Sequence, residues 1–126
     1  MMTPASNDQP QILIMDANER NAELLSDFLA DEGYDPVVVT DRDTAEDVVA
    51  EASRFAVATI DIDRFDDPVW PYCEQLAEND VPFIILSGFQ NPTLRRESRD
   101  YGAHEFVDKP IPKQQFRDLI ETALSG

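Results

Sequence analysis

FAVATID, Phe55 to Asp61, is a short and nearly unbroken apolar run closed by an acid. A run of that length has the form of a strand buried on both faces, as parallel strands between two layers of helices are. Outward in both directions the form repeats: QILIMD (Gln11 to Asp16) before it, PFIIL (Pro82 to Leu86) and HEFVD (His104 to Asp108) after it, with the β-branched Val37, Val38 and Val39 as a fifth strand. Helical patterns fill the intervals. Asn18 is placed to cap a helix of about 13 residues, with Leu24, Leu25, Phe28 and Leu29 on one face and Gly33 at its end. Asp43 with Glu46 three residues later resembles a capping box ahead of Ala45, Val48, Val49 and Ala52. After a polar connection containing Asp63, Asp66, Asp67 and Pro68 comes a helix bearing Tyr72, Cys73, Leu76 and Ala77. Asn91 and Pro92 cap a fourth helix with a thin stripe of Leu94 and Tyr101, and Pro112 opens a last one striped by Phe116, Leu119, Ile120, Ala123 and Leu124. Strand and helix alternate five times. Helical crossovers make the strands parallel, and their right-handedness puts helices on both faces, so the expected fold is a doubly wound α/β sandwich.

Composition narrows what such a domain can do. At 126 residues the chain makes one domain with a single feasible core, expected from residue 11 to 126 behind a flexible tail over residues 1–10. Cys73 is the single cysteine, which excludes an internal disulfide and a Cys-rich zinc site. The first ten residues are polar and lack the basic and apolar regions of a secretory signal, and no run approaches a membrane span, so a cytoplasmic protein is expected. The formal net charge of −16 repels phosphate backbones and anionic headgroups. Neither nucleic acid nor a membrane is an expected partner; proteins and cations are. Arg outnumbers Lys eight to two and Asp outnumbers Glu, a bias that points to a halophilic, archaeal source.

In open α/β sheets ligands bind at the carboxyl ends of the strands. The residues expected there are Asp16 and Ala17, Thr40, Asp61 and Ile62, Ser87 and Gly88, and Asp108 and Lys109. Two carboxylates can bind a hard divalent cation, a hydroxyl and an ammonium can bind phosphoryl oxygens, and an aspartate can act as a nucleophile through an acyl phosphate. One such acid alone is as well explained as a helix cap or a solvated turn. The set together indicates phosphoryl chemistry on aspartate.

ILIMD at Ile12 to Asp16, ATIDI at Ala58 to Ile62, FIILSG at Phe83 to Gly88 and GAHEFVDKPI at Gly102 to Ile111 resemble, in that order, the receiver domains of response regulators. The resemblance covers nearly everything after residue 10 and is most specific in the GA-x-x-F-x-x-KP segment. It implies a flavodoxin-like five-stranded parallel sheet of order 2-1-3-4-5 with five helices. It also implies a signalling module of two-component phosphorelays rather than a conventional enzyme, although a receiver can catalyse its own phosphotransfer and dephosphorylation. Carried over residue by residue, Asp61 resembles the phosphoacceptor, Lys109 the phosphate partner, Ser87 the switch hydroxyl and Phe106 the aromatic switch position. Asp16 and Asp61, with Asp63 as a further candidate, resemble ligands for Mg²⁺, and Lys109–Pro110 resembles the family's cis peptide. The implied partners are a histidine kinase or phosphotransfer protein and a downstream signalling protein docking on the face of helix four, strand five and helix five. With no effector segment after Leu124, the chain is expected to act as a stand-alone receiver.

Two features depart from the family pattern. Ala17 stands where the family carries a second acid after strand one, which implies weaker Mg²⁺ binding unless Asp63 or Glu19 compensates. The segment IDRFDDPVWP after Asp61 lacks the usual loop. A phosphorylation-independent binding module is therefore the alternative reading. A more remote one is a phosphatase resembling the haloacid dehalogenases, since Asp61-Ile62-Asp63 copies their D-x-D, although only Asp118 and Glu121 follow Lys109 as acids. Arg95, Arg96 and Arg99 gather basic charge on helix four, either as a patch for an acidic partner or in ion pairs with Glu97 and Asp100. His104 is expected to be structural, and Trp70 to be buried beside the acidic loop.

Overall fold

The computed structural model describes residues 9–63, 69–88 and 92–125. Most of the expected tail, Asp66, Asp67 and Pro68 of the acidic connection, and Asn91 lie outside the described residues. Five strands, β1 (Gln11–Met15), β2 (Asp35–Val39), β3 (Val57–Asp61), β4 (Phe83–Ser87) and β5 (Glu105–Asp108), form one parallel sheet in the order β2-β1-β3-β4-β5. The helices are α1 (Glu19–Asp31), α2 (Arg42–Val49), α3 (Trp70–Glu78), α4 (Pro92–Asp100) and α5 (Lys113–Ser125). This is the expected flavodoxin-like arrangement. Pro36, which has no N–H to donate, is tolerated because β2 is an edge strand.

Strand alternation divides the core into two layers. Ile12, Ile14, Ile84, Leu86 and Val107 pack against Ala22 and Leu29 of α1 and Phe116, Ile120 and Ala123 of α5. Leu13, Met15, Ile60, Phe83 and Ile85 pack against Ala45 and Val49 of α2 and Tyr72, Cys73 and Leu76 of α3. Each fully buried large apolar side chain contributes about 1.5–3 kcal/mol relative to exposure. Trp70 is half-buried and stacks on Tyr101, with ring centroids 5.1 Å apart, tying α3 to the end of α4.

Local details differ from expectation in three places. Asp41, not Asp43, caps α2: its carboxylate accepts the Thr44 N–H at 2.7 Å, which starts the helix at Arg42 and leaves Asp43 inside its first turn. Leu24 is 55% exposed, because at 100° per residue the inward face of α1 runs through Ala22, Leu25 and Leu29. Ala77 likewise faces outward on α3. The cap at Asn18 and the end of α1 match expectation: the Asn18 side chain accepts the Asn21 N–H at 3.0 Å, and Gly33, at φ 92°, reverses the chain toward β2.

Candidate functional site

Parallel strands end together, so the sheet brings the ends of β1, β3, β4 and β5 to one edge. Asp16 follows β1, Asp61 closes β3, Ser87 closes β4, and Lys109 follows β5. Asp16 is 1% exposed, Asp61 3% and Ser87 fully buried. Buried polar groups of this kind require partners. Asp16 receives the Asn18 N–H at 2.9 Å on one carboxylate oxygen and the Asn21 amide on the other, so the start of α1 holds it. Asp61 receives the Asp63 N–H at 3.1 Å and Lys109 Nζ at 2.6 Å.

Asp63 completes the cluster. One of its carboxylate oxygens accepts the Ser87 hydroxyl at 2.8 Å; the other accepts the Gly88 N–H and Lys109 Nζ, each at 2.7 Å. A side chain at position 88 would press on this contact, since a Cβ there would stand 3.3 Å from the Asp63 oxygen, and glycine leaves the approach open. The Lys109–Pro110 peptide is cis, and Lys109 N–H donates to the Ser87 carbonyl at 2.8 Å.

The electrostatics follow from these contacts. Burial pushes the Asp63 carboxyl upward, but the bonds from Lys109, Gly88 and Ser87 outweigh it and hold the group below the usual carboxylate range. For Lys109, burial acts downward, and the two carboxylates more than offset it, so the ammonium is held above its usual value. Asp16 is displaced the other way: burial raises it, the bonds from Asn18 and Asn21 oppose this, and repulsion from Asp61 adds to the rise.

Asp16 and Asp61, on neighbouring strands, are a pair of hard oxygen donors that fits a divalent cation, with one carboxylate fewer than a full acidic triad. Ala17 adds no oxygen, Glu19 is exposed on the first turn of α1, and both oxygens of Asp63 are turned to Ser87, Gly88 and Lys109. Among the described residues no group of three or more His, Cys, Asp or Glu is arranged to hold a metal. A cleft of about 540 Å³ opens over the pair, with Arg20, Leu24, Pro110 and Ile111 on its walls.

Phe106 is buried in β5 under α4. Arg95 lies over its ring at 4.7 Å, donates to its carbonyl at 3.4 Å and pairs with Asp108 at 3.3 Å. The partner of Arg95 is therefore the neighbouring strand, and not the Glu97 or Asp100 of its own helix. His104 is exposed at the entrance to β5, where its N–H donates to the Phe83 carbonyl at 2.8 Å. Asp118 and Glu121 are exposed on α5. One contributor was not legible in the sequence: Asn21 is an ordinary polar residue on a helix, and nothing local marks it as the partner of Asp16. Gly88 was expected at this edge from its position after β4, but not the role of its backbone N–H as a donor to Asp63.

The family model of the response regulator receiver domain matches residues 12–121. Among solved structures, the CheY-like receiver domain protein of Methanospirillum hungatei superposes with a TM-score of 0.83 at 20% identity, covering 94% of this chain and 95% of that one. Vibrio cholerae chemotaxis protein CheY4 gives 0.79 at 19% identity, over 92% of this chain and 99% of that one. The BeF3-activated receiver domain of Klebsiella pneumoniae RstA gives 0.80 at 20% identity, over 92% and 99%. No curated protein matches the chain.

Proposed function

The chain belongs to the response regulator receiver domain family, and we propose that it accepts a phosphoryl group on Asp61 from a histidine kinase or phosphotransfer protein. The observation that carries this reading is the convergence of Asp61 and Lys109 at 2.6 Å, beside the Ser87 hydroxyl, at the carboxyl edge of the sheet. An Asp61 carboxylate oxygen attacks phosphorus; the new P–O bond forms as the donor's P–N or P–O bond breaks, and the leaving group departs with the electron pair. Lys109 then neutralises one phosphoryl oxygen and Ser87 donates to another. Asp16 and Asp61 would hold Mg²⁺, which when bound supplies the positive charge that lets an anionic donor approach two carboxylates. Ala17 makes that hold weaker.

Output follows from what Ser87 touches. Ser87 pairs in register with Asp108 of β5, the residue that Arg95 of α4 clasps while covering Phe106. A movement of Ser87 toward a phosphoryl group is thereby coupled to α4, β5 and α5, the proposed docking face for a downstream protein. Among the described residues no helix is long and apolar enough to cross a membrane, and we place the relay in the cytoplasm.

Ala17 favours a second reading, a binding module that signals without phosphorylation. Intact mass after incubation with acetyl phosphate, with and without Mg²⁺, separates the two. One phosphoryl addition is expected that requires the cation, is removed by hydroxylamine and is lost in Asp61→Asn. A folded native chain that takes up nothing at high Mg²⁺ would establish the binding module instead.

A further inference from the structure

A phosphoryl group on Asp61 needs a hydroxyl, a backbone N–H and an ammonium aimed at its oxygens. All three are engaged in the unmodified chain. Ser87 Oγ stands 2.8 Å from one Asp63 oxygen, while the Gly88 N–H and Lys109 Nζ stand 2.7 Å from the other. The backbone brings the acid there: the Asp63 N–H donates to Asp61 at 3.1 Å, which fixes Asp63 two residues past the end of β3, beside Ser87 at the end of β4. Gly88 supplies both the donor and the clearance for that approach. A carboxylate in this position presents two anionic oxygens to the donors that two oxygens of a phosphoryl group would use.

We propose that Asp63 is a built-in anionic occupant of the oxyanion cradle beside Asp61, which phosphoryl transfer to Asp61 must displace. The proposal rests on the phosphoacceptor reading for its displacement step, but not for the occupancy itself. Phosphorylation then exchanges one anion for another at Ser87, Gly88 and Lys109, and Asp63 acts as a brake on modification by small donors. The carboxylate also keeps the charge of Lys109 matched before any donor arrives, since Lys109 bridges Asp61 at 2.6 Å and Asp63 at 2.7 Å. Asp63 is in this sense a positioning residue, distinct from the cation-binding pair of Asp16 and Asp61.

The test uses the full chain, uniformly ¹⁵N-labelled, as native protein, Asp63→Asn and Asp63→Ala, with circular dichroism to establish that each is folded. The Gly88 amide proton, which loses a charge-assisted acceptor, is expected to move upfield in both variants. At a fixed Mg²⁺ concentration, acetyl phosphate is expected to modify both variants several-fold faster than the native chain by intact mass. A Gly88 resonance that stays in place overturns the occupancy, whatever the rates. A Gly88 shift with modification no faster than native overturns the displacement. A Gly88 shift with no phosphoryl uptake by any of the three proteins supports the occupancy and overturns the phosphoacceptor reading, so the two failures are distinct.

Discussion

Ala17 withholds an oxygen from the strand-end cluster, and Asp63 turns both of its own to Ser87, Gly88 and Lys109. Ala17 follows Asp16 at the end of β1, where a carboxylate would add a third hard oxygen donor to the proposed cation pair of Asp16 and Asp61. Ala17→Asp is expected to raise Mg²⁺ affinity several-fold and to lower the Mg²⁺ concentration at which acetyl phosphate modifies the protein. Isothermal titration with MgCl₂ checks it; an unchanged affinity would mean that Asp16 and Asp61 do not form a partial site. The same substitution places another negative charge near a buried acid whose value already lies above the usual range, first from burial and also from its neighbour Asp61. Metal-free Ala17→Asp should accordingly be less stable than native and regain the difference on adding Mg²⁺. Cys73 takes no part in this chemistry, since burial pushes its thiol up to about 12.

At the scale of elements, the caps show how local chemistry sets the frame. Asp41 accepts the Thr44 N–H at the start of α2, and the backbone and then the hydroxyl of Thr44 hold its carboxyl below the ordinary 3.8. A folded value below the unfolded one means that the stabilisation is fully present above 3.8 and is lost as pH falls through the lowered value. Asp41→Ala should therefore lower the thermal midpoint at neutral pH, with the difference from native narrowing as pH falls below 3.8, while Asp41→Asn, which keeps an acceptor, loses less. Thermal unfolding followed by circular dichroism reads both; a difference that does not change with pH would rule out the carboxylate as the cause. α4 shows the opposite case. Its apolar contribution is small, and it is held by the Arg95 contacts to Phe106 and Asp108 and by the Trp70–Tyr101 stack. An aromatic stack is worth about 0.5–1.5 kcal/mol beyond its buried area and a partly exposed cation–π contact about 0.5–1 kcal/mol, so each of these contacts is individually weak.

For the whole molecule, charge governs behaviour outside the core. A net charge of −16 on 126 residues repels itself, and the Debye length falls from about 10 Å at 0.1 M salt to about 3 Å at 1 M. The thermal midpoint is expected to rise steadily with added KCl over that range, as screening relieves the folded state more than the extended chain. A midpoint that is flat or falls with salt would mean that the acids are already balanced by local contacts. The same charge would hold anionic donors away from the edge of the sheet, where Lys109 and Arg20 of the cleft wall carry the positive charge of the protein itself.

How much of this was legible in the sequence depends on the range of the interaction. Apolar periodicity specified five strands and five helices, and the alternation of the two specified a parallel sheet, because helical crossovers leave no other arrangement. A parallel sheet in turn aligns the strand ends, so the sequence alone groups Asp16, Asp61, Ser87 and Lys109 at one edge. Boundaries and facing were less secure: Asp41 displaced Asp43 as a cap, and Leu24 lies just outside the inward stripe of α1, because several acids or leucines satisfied the same local rule. Beyond reach were the directions of single polar side chains. Asp63 was a candidate cation ligand and Arg95 had acceptable partners in Glu97 and Asp100, yet Asp63 bonds to β4 and Lys109, and Arg95 to β5. Local chemistry thus laid down the frame and the residues gathered at its edge, whereas the choice of donor for each acceptor came from long-range contacts, since those donors lie on strands far apart in sequence that meet only when the parallel sheet assembles.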